Sequence, residues 1–238
     1  MNLQELLDEL RANILRDVSD AIGPANDKLW TDETLVRYID EGYRRFARRT
    51  LLLRDASTPD YTEITLRANV DTYPLHAGVL AVLTARLRNR DYDLKKTTHD
   101  SLVGAVTNTD MALVEGVAPY AQEPRWFNMD EETRTLRVFP NVGEQFDKVV
   151  LKLRVARLPK EHLTADNLSA ELEVEEDYHL DLLEWAAYRA LRNHDVDVEN
   201  MGKANAHKKR FEEAVAEAIA DSTRTRFAPV EFVLNSRW

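Results

Sequence analysis

The chain has 238 residues and a net charge of −10, from 32 basic and 42 acidic side chains, and it contains no cysteine. Disulfides, thiolate metal sites and cysteine nucleophiles are therefore excluded, and the acidic balance argues against general affinity for nucleic acid. No stretch of 18 uncharged apolar residues occurs, so we expect no membrane span. Residues 1–20 carry acids among their leucines and lack the features of a signal peptide.

Helical patterns begin the chain. Apolar residues recur at steps of three and four from Leu3 to Val18, which predicts a helix that Gly23-Pro24 ends. Thr31 is a good N-cap for a second helix, because two acids follow it in the first turn. The buried stripe of this helix should include Leu35, Ile39, Gly42, Phe46 and Leu53, and the helix should end before Ser57.

The middle of the chain changes from a helical period to the two-residue alternation of strands. The segments with this alternation or with flanking turn signals are Tyr61–Ala68, Val79–Leu87, Trp126–Asp130, Thr135–Phe139 and Lys148–Ala156. The third and fourth form a predicted hairpin. We expect a short helix at His99–Val106 and a loop at Asn108–Glu123.

Helical patterns return at about Glu175, with one helix to about Leu191 and a last helix that ends at Ser222. The predicted fold is therefore α+β: a mostly helical bundle formed by both chain ends, an inserted antiparallel β domain and an extended C-terminal arm. The predicted boundaries are 1–58 for the first half of the bundle, 59–160 for the β domain, 161–222 for the second half and 223–238 for the arm.

No catalytic or cofactor motif stands out. The six histidines include no HxxxH or HExxH pair, and we interpret them as surface or capping residues. Asp195, Asp197 and Glu199 resemble the start of an EF-hand loop, but Asn200 replaces its glycine and Ala206 its final glutamate. Phosphate-binding glycine loops and a GxSxG elbow are absent. We therefore expect no metal, no cofactor and no enzymatic activity. A glycosidase site made of two paired carboxylates stays open as an alternative, because a chain with 42 acids contains some such pairs by chance.

Two segments are candidate partner-binding sites. Residues 37–54 hold six arginines against two acids. Four of the six form the arginine cluster, namely Arg44, Arg45, Arg48 and Arg49. The cluster either binds an acidic partner or forms a solvated helix face. The predicted arm is apolar, aromatic and basic, whereas chain ends are usually polar. It either docks as a last strand on its own domain or inserts into another subunit. Its candidate contact residues are Arg224, Arg226, Phe227, Val230, Phe232, Leu234, Arg237 and Trp238.

Several segments together resemble the head-to-tail adaptor (connector) proteins of tailed bacteriophages. The resemblance is carried by the helix Leu29–Gly42, the Tyr73-Pro74-Leu75 step, the hairpin from Arg125 to Pro140, the turn at Leu158-Pro159, and the last helices around Asp195-Val196-Asp197. It extends over about residues 3 to 220 and is a pattern of lengths and apolar placements.

The resemblance implies a structural virion protein at the head-tail junction, assembled in the host cytoplasm. Such adaptors form a portal-bound homo-oligomeric ring, a dodecamer, which joins the portal protein to the tail nozzle or tube and surrounds the channel for DNA ejection. The DNA would pass without specific binding. The family has no invariant active site to transfer, and its C-terminal segments commonly dock against the portal.

Two alternatives remain open from the sequence. One is a tail-associated peptidoglycan hydrolase acting through two acids, and the other is a tail subunit or host-binding β module that does not bind the portal. Clearing of peptidoglycan would favour the first. A ring that appears only with portal protein would favour the adaptor.

Overall fold

The computed structural model describes residues 1–17, 28–98, 123–130, 132–193 and 198–226. The chain divides into two compact units, a helical unit of Met1–Leu52 with Glu161–Trp238 and a β unit of Leu53–Lys160. The α+β class predicted from the sequence is confirmed. None of the helices in these ranges is long and apolar enough to cross a membrane.

The first α-helix is short because the backbone changes from α-helical to π-helical geometry after Glu9. Helix α1 (Leu3–Glu9) begins with a capping box, in which Asn2 and Glu5 each accept a hydrogen bond from the backbone of the other. A π-helical turn (Leu10–Leu15) follows and ends at Arg16, whose φ of 54° is left-handed. The prediction of one continuous helix to Gly23-Pro24 is therefore wrong for Arg16 and Asp17, and residues 18–27 lie outside the described ranges.

A buried ion pair closes this end of the helical unit. Arg11 donates from Nη1 to Asp17 Oδ2 at 2.6 Å and from Nη2 to the carbonyl oxygen of Trp30 at 2.8 Å. Its Nε also donates to Asp32 Oδ1 at 3.0 Å. Because both partners of the Arg11–Asp17 pair are buried, the loss of one would leave a charge without compensation.

Helix α2 (Asp32–Thr50) has the N-cap that the sequence predicts, since the Thr31 hydroxyl accepts from the backbone N–H of Thr34. The predicted stripe through Leu35, Ile39, Gly42 and Phe46 is buried. The helix ends earlier than expected, at Leu51 with φ 53°, so Leu53 lies beyond it in the β unit.

Two long helices complete the helical unit. A 3₁₀ turn (Glu176–Tyr178) leads into one helix, His179–Asn193, and Val198–Arg226 forms the other. Because the β unit contains a four-residue helix α3 (Pro59–Thr62), the helix His179–Asn193 is named α4 and the helix Val198–Arg226 is named α5. Helix α4 packs against both α2 and α5, which explains why its apolar residues cover two adjoining faces.

The β unit contains two sheets of four strands each within the described residues. In the first, the central strand β8 (Val150–Arg157) pairs antiparallel with three strands, namely β1 (Arg54–Asp55), β2 (Glu63–Thr65) and β4 (Val79–Leu87). In the second, the order is β3 (Thr72–Pro74), β7 (Thr135–Phe139), β6 (Trp126–Asp130) and β5 (Lys95–Lys96). The short edge strand β5 pairs parallel with β6, so the prediction of an antiparallel β domain is wrong for this edge.

Alternation along the strands builds the core of the β unit. Leu151, Leu153 and Val155 of β8 are buried, whereas Lys152 and Arg154 between them are exposed. The predicted β6–β7 hairpin is confirmed, with Phe127 opposite Val138. The strands β4 and β8 lie close to their predicted positions because each carries a run of β-branched and leucine residues.

Three predictions of local structure are wrong. Tyr61 and Thr62 belong to helix α3 rather than to a strand, because Pro59 occupies its first turn. Residues Thr223–Arg226 continue α5 rather than beginning an extended arm. The hydroxyl of Thr223 donates to the carbonyl of Ile219 at 2.8 Å, and adding residues to an existing helix is easier than starting one. The apolar pattern of this last helix also predicts that Ile219 lies on its buried stripe, but 41% of the residue is exposed.

The expected helix at His99–Val106 lies outside the described residues, as does the Asp195-Val196-Asp197 turn. Of the predicted loop Asn108–Glu123, only Glu123 is described.

Candidate partner-binding surfaces

Helix α2 divides the predicted arginine cluster into two pairs with different surroundings. The guanidinium carbon of Arg45 lies 4.3 Å from the centroid of the Trp185 ring on α4, within the range of a cation–π interaction. Arg49 forms an ion pair with Glu212 of α5. Both side chains thus contribute to the packing of the helical unit.

The other pair, Arg44 and Arg48, lies one turn apart on a neighbouring stripe. Arg44 is half-buried and Arg48 is exposed, and the described part of the chain provides neither with an ion pair. Arg37, seven residues before Arg44, shares this stripe and is also exposed. We call Arg37, Arg44 and Arg48 the arginine stripe. None of them forms an ion pair with the described residues, although Arg37 lies 5.6 Å from the centroid of the Tyr38 ring, so their charge is available to a partner.

A cluster of aromatic rings fixes α2 against the other helices. The ring centroid of Phe46 lies 5.4 Å from that of Tyr178 and 6.4 Å from that of Phe211, and Phe211 is 5.3 Å from Trp185. These separations are typical of attractive aromatic pairs. The arginine stripe is consequently carried by a helix with a well-packed inner face.

Gly42 allows α2 and α4 to approach closely. A Cβ at Gly42 would lie 3.0 Å from the carbonyl oxygen of Leu182 and 3.1 Å from Cβ of Trp185. Those distances are tighter than ordinary van der Waals contact, so the glycine is required by packing here.

Of the predicted arm residues, the structure describes only the beginning. Arg224 is exposed on α5 and donates from Nη1 to Asp221 Oδ1 at 3.1 Å. Arg226 is the last residue of that helix. The remaining candidates lie outside the described residues: Phe227, Val230, Phe232, Leu234, Arg237 and Trp238.

Titratable groups meet between α4 and α5. Burial raises the pKa of Asp181, and the nearby carboxylates of Glu184 and Glu217 raise it further. His207 Nδ1 lies 2.7 Å from Glu184 Oε2. Across the described ranges, no three histidine, aspartate or glutamate side chains are arranged to hold a metal ion.

One histidine is a cap rather than a surface residue. His179 is the C-cap residue of the 3₁₀ turn Glu176–Tyr178, only 4% of it is exposed, and its Nε2 lies 3.0 Å from the carbonyl oxygen of Val174.

Comparison with protein families identifies the family of the chain. The SU10 adaptor protein family matches residues 1–232. The chain belongs to that family. No protein with a curated description matches the sequence.

Family membership confirms the resemblance to phage adaptors. The match covers both the helical unit and the β unit, so it applies to the whole fold rather than to one module. The adaptor is thus a virion component from a structural family.

The β unit of the adaptor has a cleft that the sequence analysis did not identify. It measures about 360 Å³ and is lined by Tyr92, Asp93, Lys95, Arg125 and Trp126. We refer to it as the β-unit cleft. Tyr92 is 45% exposed, which is a large exposed fraction for an aromatic side chain.

Electrostatic contacts shape the rim of this cleft. Hydrogen bonds from Arg90 and Tyr92 to Glu123 hold the pKa of that carboxyl below its ordinary value. The sequence signal was the alternation of Arg86, Arg88 and Arg90, which predicts a row of basic side chains on one side of a strand, although β4 ends at Leu87 and the last two arginines follow it in a turn. What the sequence did not show was that Arg125, 35 positions after Arg90, lies beside the same rim.

Proposed function

We propose that the adaptor forms the ring that joins the portal protein to the tail nozzle or tube and surrounds the DNA channel. The observation that supports this function is the family match over residues 1–232, which covers both units of the fold. The proposed ring has twelve copies, as the resemblance implies, and it assembles on the portal in the host cytoplasm.

The charge distribution suits a channel through which DNA slides. Basic walls would retain phosphates by releasing their counterions, and the affinity would depend steeply on salt. The adaptor carries −10 overall, and two of the four clustered arginines already contact Trp185 and Glu212. We therefore propose that the channel wall is acidic or neutral and that the arginine stripe contacts a neighbouring subunit.

Residues 227–238 are the proposed portal grip. They follow directly on α5, a helix of 29 residues, so their starting point is held by a rigid element. Twelve residues bound in an extended form would reach about 40 Å at roughly 3.3 Å each. Phe227, Phe232 and Trp238 would be the anchors, because aromatic side chains dominate interface energies once they are desolvated.

A truncation after Arg226 tests the grip. The truncated chain should keep its helicity by circular dichroism, because α5 remains complete, and it should lose co-sedimentation with portal protein. The matched control is the full-length Thr223→Ala variant, which changes an exposed helical residue and should bind normally.

Two results would contradict the proposal. Unfolding of the truncated chain would mean that residues 227–238 belong to its own fold. Normal portal binding by a folded truncated chain would mean that the grip lies elsewhere. Negative-stain images of the wild-type chain with portal protein test the ring directly, since the absence of an added ring would contradict the adaptor function itself.

A further inference from the structure

Charge is unequally divided between the two units. The β unit has 15 basic and 15 acidic residues, so the net charge of −10 belongs entirely to the helical unit. A neutral unit with a local basic cleft and a strongly acidic unit have complementary surfaces, and such complementarity guides association and fixes its register.

The β-unit cleft is lined by basic groups that form no hydrogen bond or ion pair within the described residues, although the charge of Arg125 acts on the nearby Glu123 carboxyl. Lys95 and Arg125 line it, and Arg88 is exposed nearby on the chain. Within the described ranges none of these three side chains forms a hydrogen bond or an ion pair. By contrast, Arg86 pairs with Asp93 and Arg90 with Glu123. The free cations are therefore available to carboxylates from outside.

Aromatic surface accompanies these cations. Tyr92 and Trp126 both line the cleft, and Trp126 stacks at 5.9 Å on Phe139 of the neighbouring strand. A cleft with aromatic walls and two such cations fits an acidic stretch of polypeptide, whose backbone packs on the rings while its carboxylates reach the cations.

The helical unit presents a segment with that chemistry. Residues 171–177 hold five acids, all exposed, and the apolar residues between them, Leu172 and Val174, are buried. Glu171, Glu173 and Glu175 alternate with these buried residues, so the acids are exposed while the apolar side chains between them pack inward. We refer to residues 171–177 as the acidic edge.

The acidic edge is held in shape before it meets any partner. The backbone N–H of Glu173 donates to the hydroxyl of the buried Tyr43 at 2.8 Å. Ala170, which precedes the acidic edge, is bonded to α1, because the backbone N–H of Leu3 donates to its carbonyl oxygen at 3.0 Å. A segment that is already ordered loses little entropy on binding.

We propose that the β-unit cleft of one copy of the adaptor binds the acidic edge of a second copy. The two surfaces differ, so the contact is heterologous, and repeated heterologous contacts close into a ring when the rotation allows. The inference rests on the proposed ring and identifies its subunit contact. A nucleic-acid ligand is disfavoured, because the β unit as a whole has no net positive charge.

Because the chain has no cysteine, only introduced cysteines can form a disulfide in a cross-linking test. Arg125→Cys and Glu173→Cys are prepared as separate chains, mixed in equal amounts with portal protein, and oxidised. The mixture should give a covalent dimer of adaptor chains, whereas neither variant alone should. The matched control is Arg125→Cys mixed with Glu213→Cys, an exposed acid on α5, which should give no dimer.

Charge reversal supplies a second measurement. Arg125→Glu and Glu173→Arg should each weaken self-association at least about tenfold, because each places like charges opposite one another. The two changes combined in one chain should restore most of the association. Analytical ultracentrifugation of the chain with portal measures these effects.

The outcomes separate the contact from the proposed function. If wild-type chains form a ring on the portal but the mixture gives no specific dimer, the contact is wrong and the ring stands. If Arg125→Glu loses portal binding while self-association is unchanged, the cleft serves the portal and the proposal is overturned. If the wild-type chain does not bind portal at all, the proposed function fails, and a specific dimer in the mixture would still support the contact.

Discussion

Replacing Asp55 by asparagine tests what holds the strands of the β unit together. Asp55 lies in β1, and Arg157 ends β8. Arg157 Nε donates to Asp55 Oδ2 at 2.9 Å, and the exposed fractions of the two side chains are 7% and 4%. The other carboxylate oxygen accepts from the backbone N–H groups of Ser57 and Thr58 at 2.9 and 3.0 Å.

The expected loss of stability is large because the substitution leaves a buried charge. Asparagine retains one acceptor oxygen for the turn at residues 57–58, but it presents no negative charge to Arg157. Breaking a buried ion pair from one side costs about 3–5 kcal/mol. Since each 1.4 kcal/mol is a factor of ten, exchange of the β8 amides should accelerate roughly 100- to 5,000-fold.

Hydrogen exchange read by mass spectrometry resolves this effect, because peptides covering Val150–Arg157 report on the β unit alone. The matched control is Asp71→Asn, which breaks the more exposed pair with Arg137 in the second sheet. Such a pair contributes at most about 1 kcal/mol, so exchange should rise no more than roughly fivefold. Equal acceleration in the two variants would refute the reasoning that the buried pair holds these strands.

The remaining predictions concern acid sensitivity and the helical unit. Burial raises the pKa of Asp55, but its hydrogen bonds outweigh burial and hold the pKa well below its ordinary value. The ionised Asp55 therefore stabilises the fold fully above about pH 4, and this stabilisation is lost as the pH falls further. In urea titrations, the difference in the free energy of unfolding between wild type and Asp55→Asn should narrow between about pH 4 and 2. An unchanged difference would contradict this. Gly42→Ala should lower the free energy of unfolding by about 1–3 kcal/mol, because its Cβ would crowd a backbone carbonyl of the facing helix. Gly202→Ala is the control: no atom lies within 4 Å of its Cβ, so it should be neutral or stabilise by up to about 1 kcal/mol. Chemical denaturation followed by circular dichroism compares the two variants, and equal losses of stability would exclude close packing as the cause. Arg48→Glu should weaken ring assembly on the portal, because the arginine stripe is proposed to contact a neighbouring subunit, while its Tm stays within about 2 °C of wild type. Arg49→Glu should lower Tm, because it opposes its carboxylate partner on α5. The reverse order of Tm changes would show that the cluster is divided differently.

Local patterns were sufficient where one element determines its own form. The N-cap at Thr31 needs only a hydroxyl and the backbone N–H three residues on. The β6–β7 hairpin needs two short alternating runs and a turn between them. Local patterns failed at helix ends, where Leu51 adopts a left-handed conformation without being glycine, and at Thr223, where an existing helix continued through residues with no strong preference for it.

The sequence by itself determined the α+β class, the helical chain ends around a β unit, and the family resemblance, because hydrophobic period and element length are properties of short segments. Only the tertiary structure decided which charges are used internally and which are free. Arg49 finds its partner 163 residues away at Glu212, and Arg125 joins Lys95 at one cleft across the sheet. Nothing in the neighbouring sequence distinguishes Arg49 from Arg48, because such pairings depend on where the packed core brings distant helices and strands together.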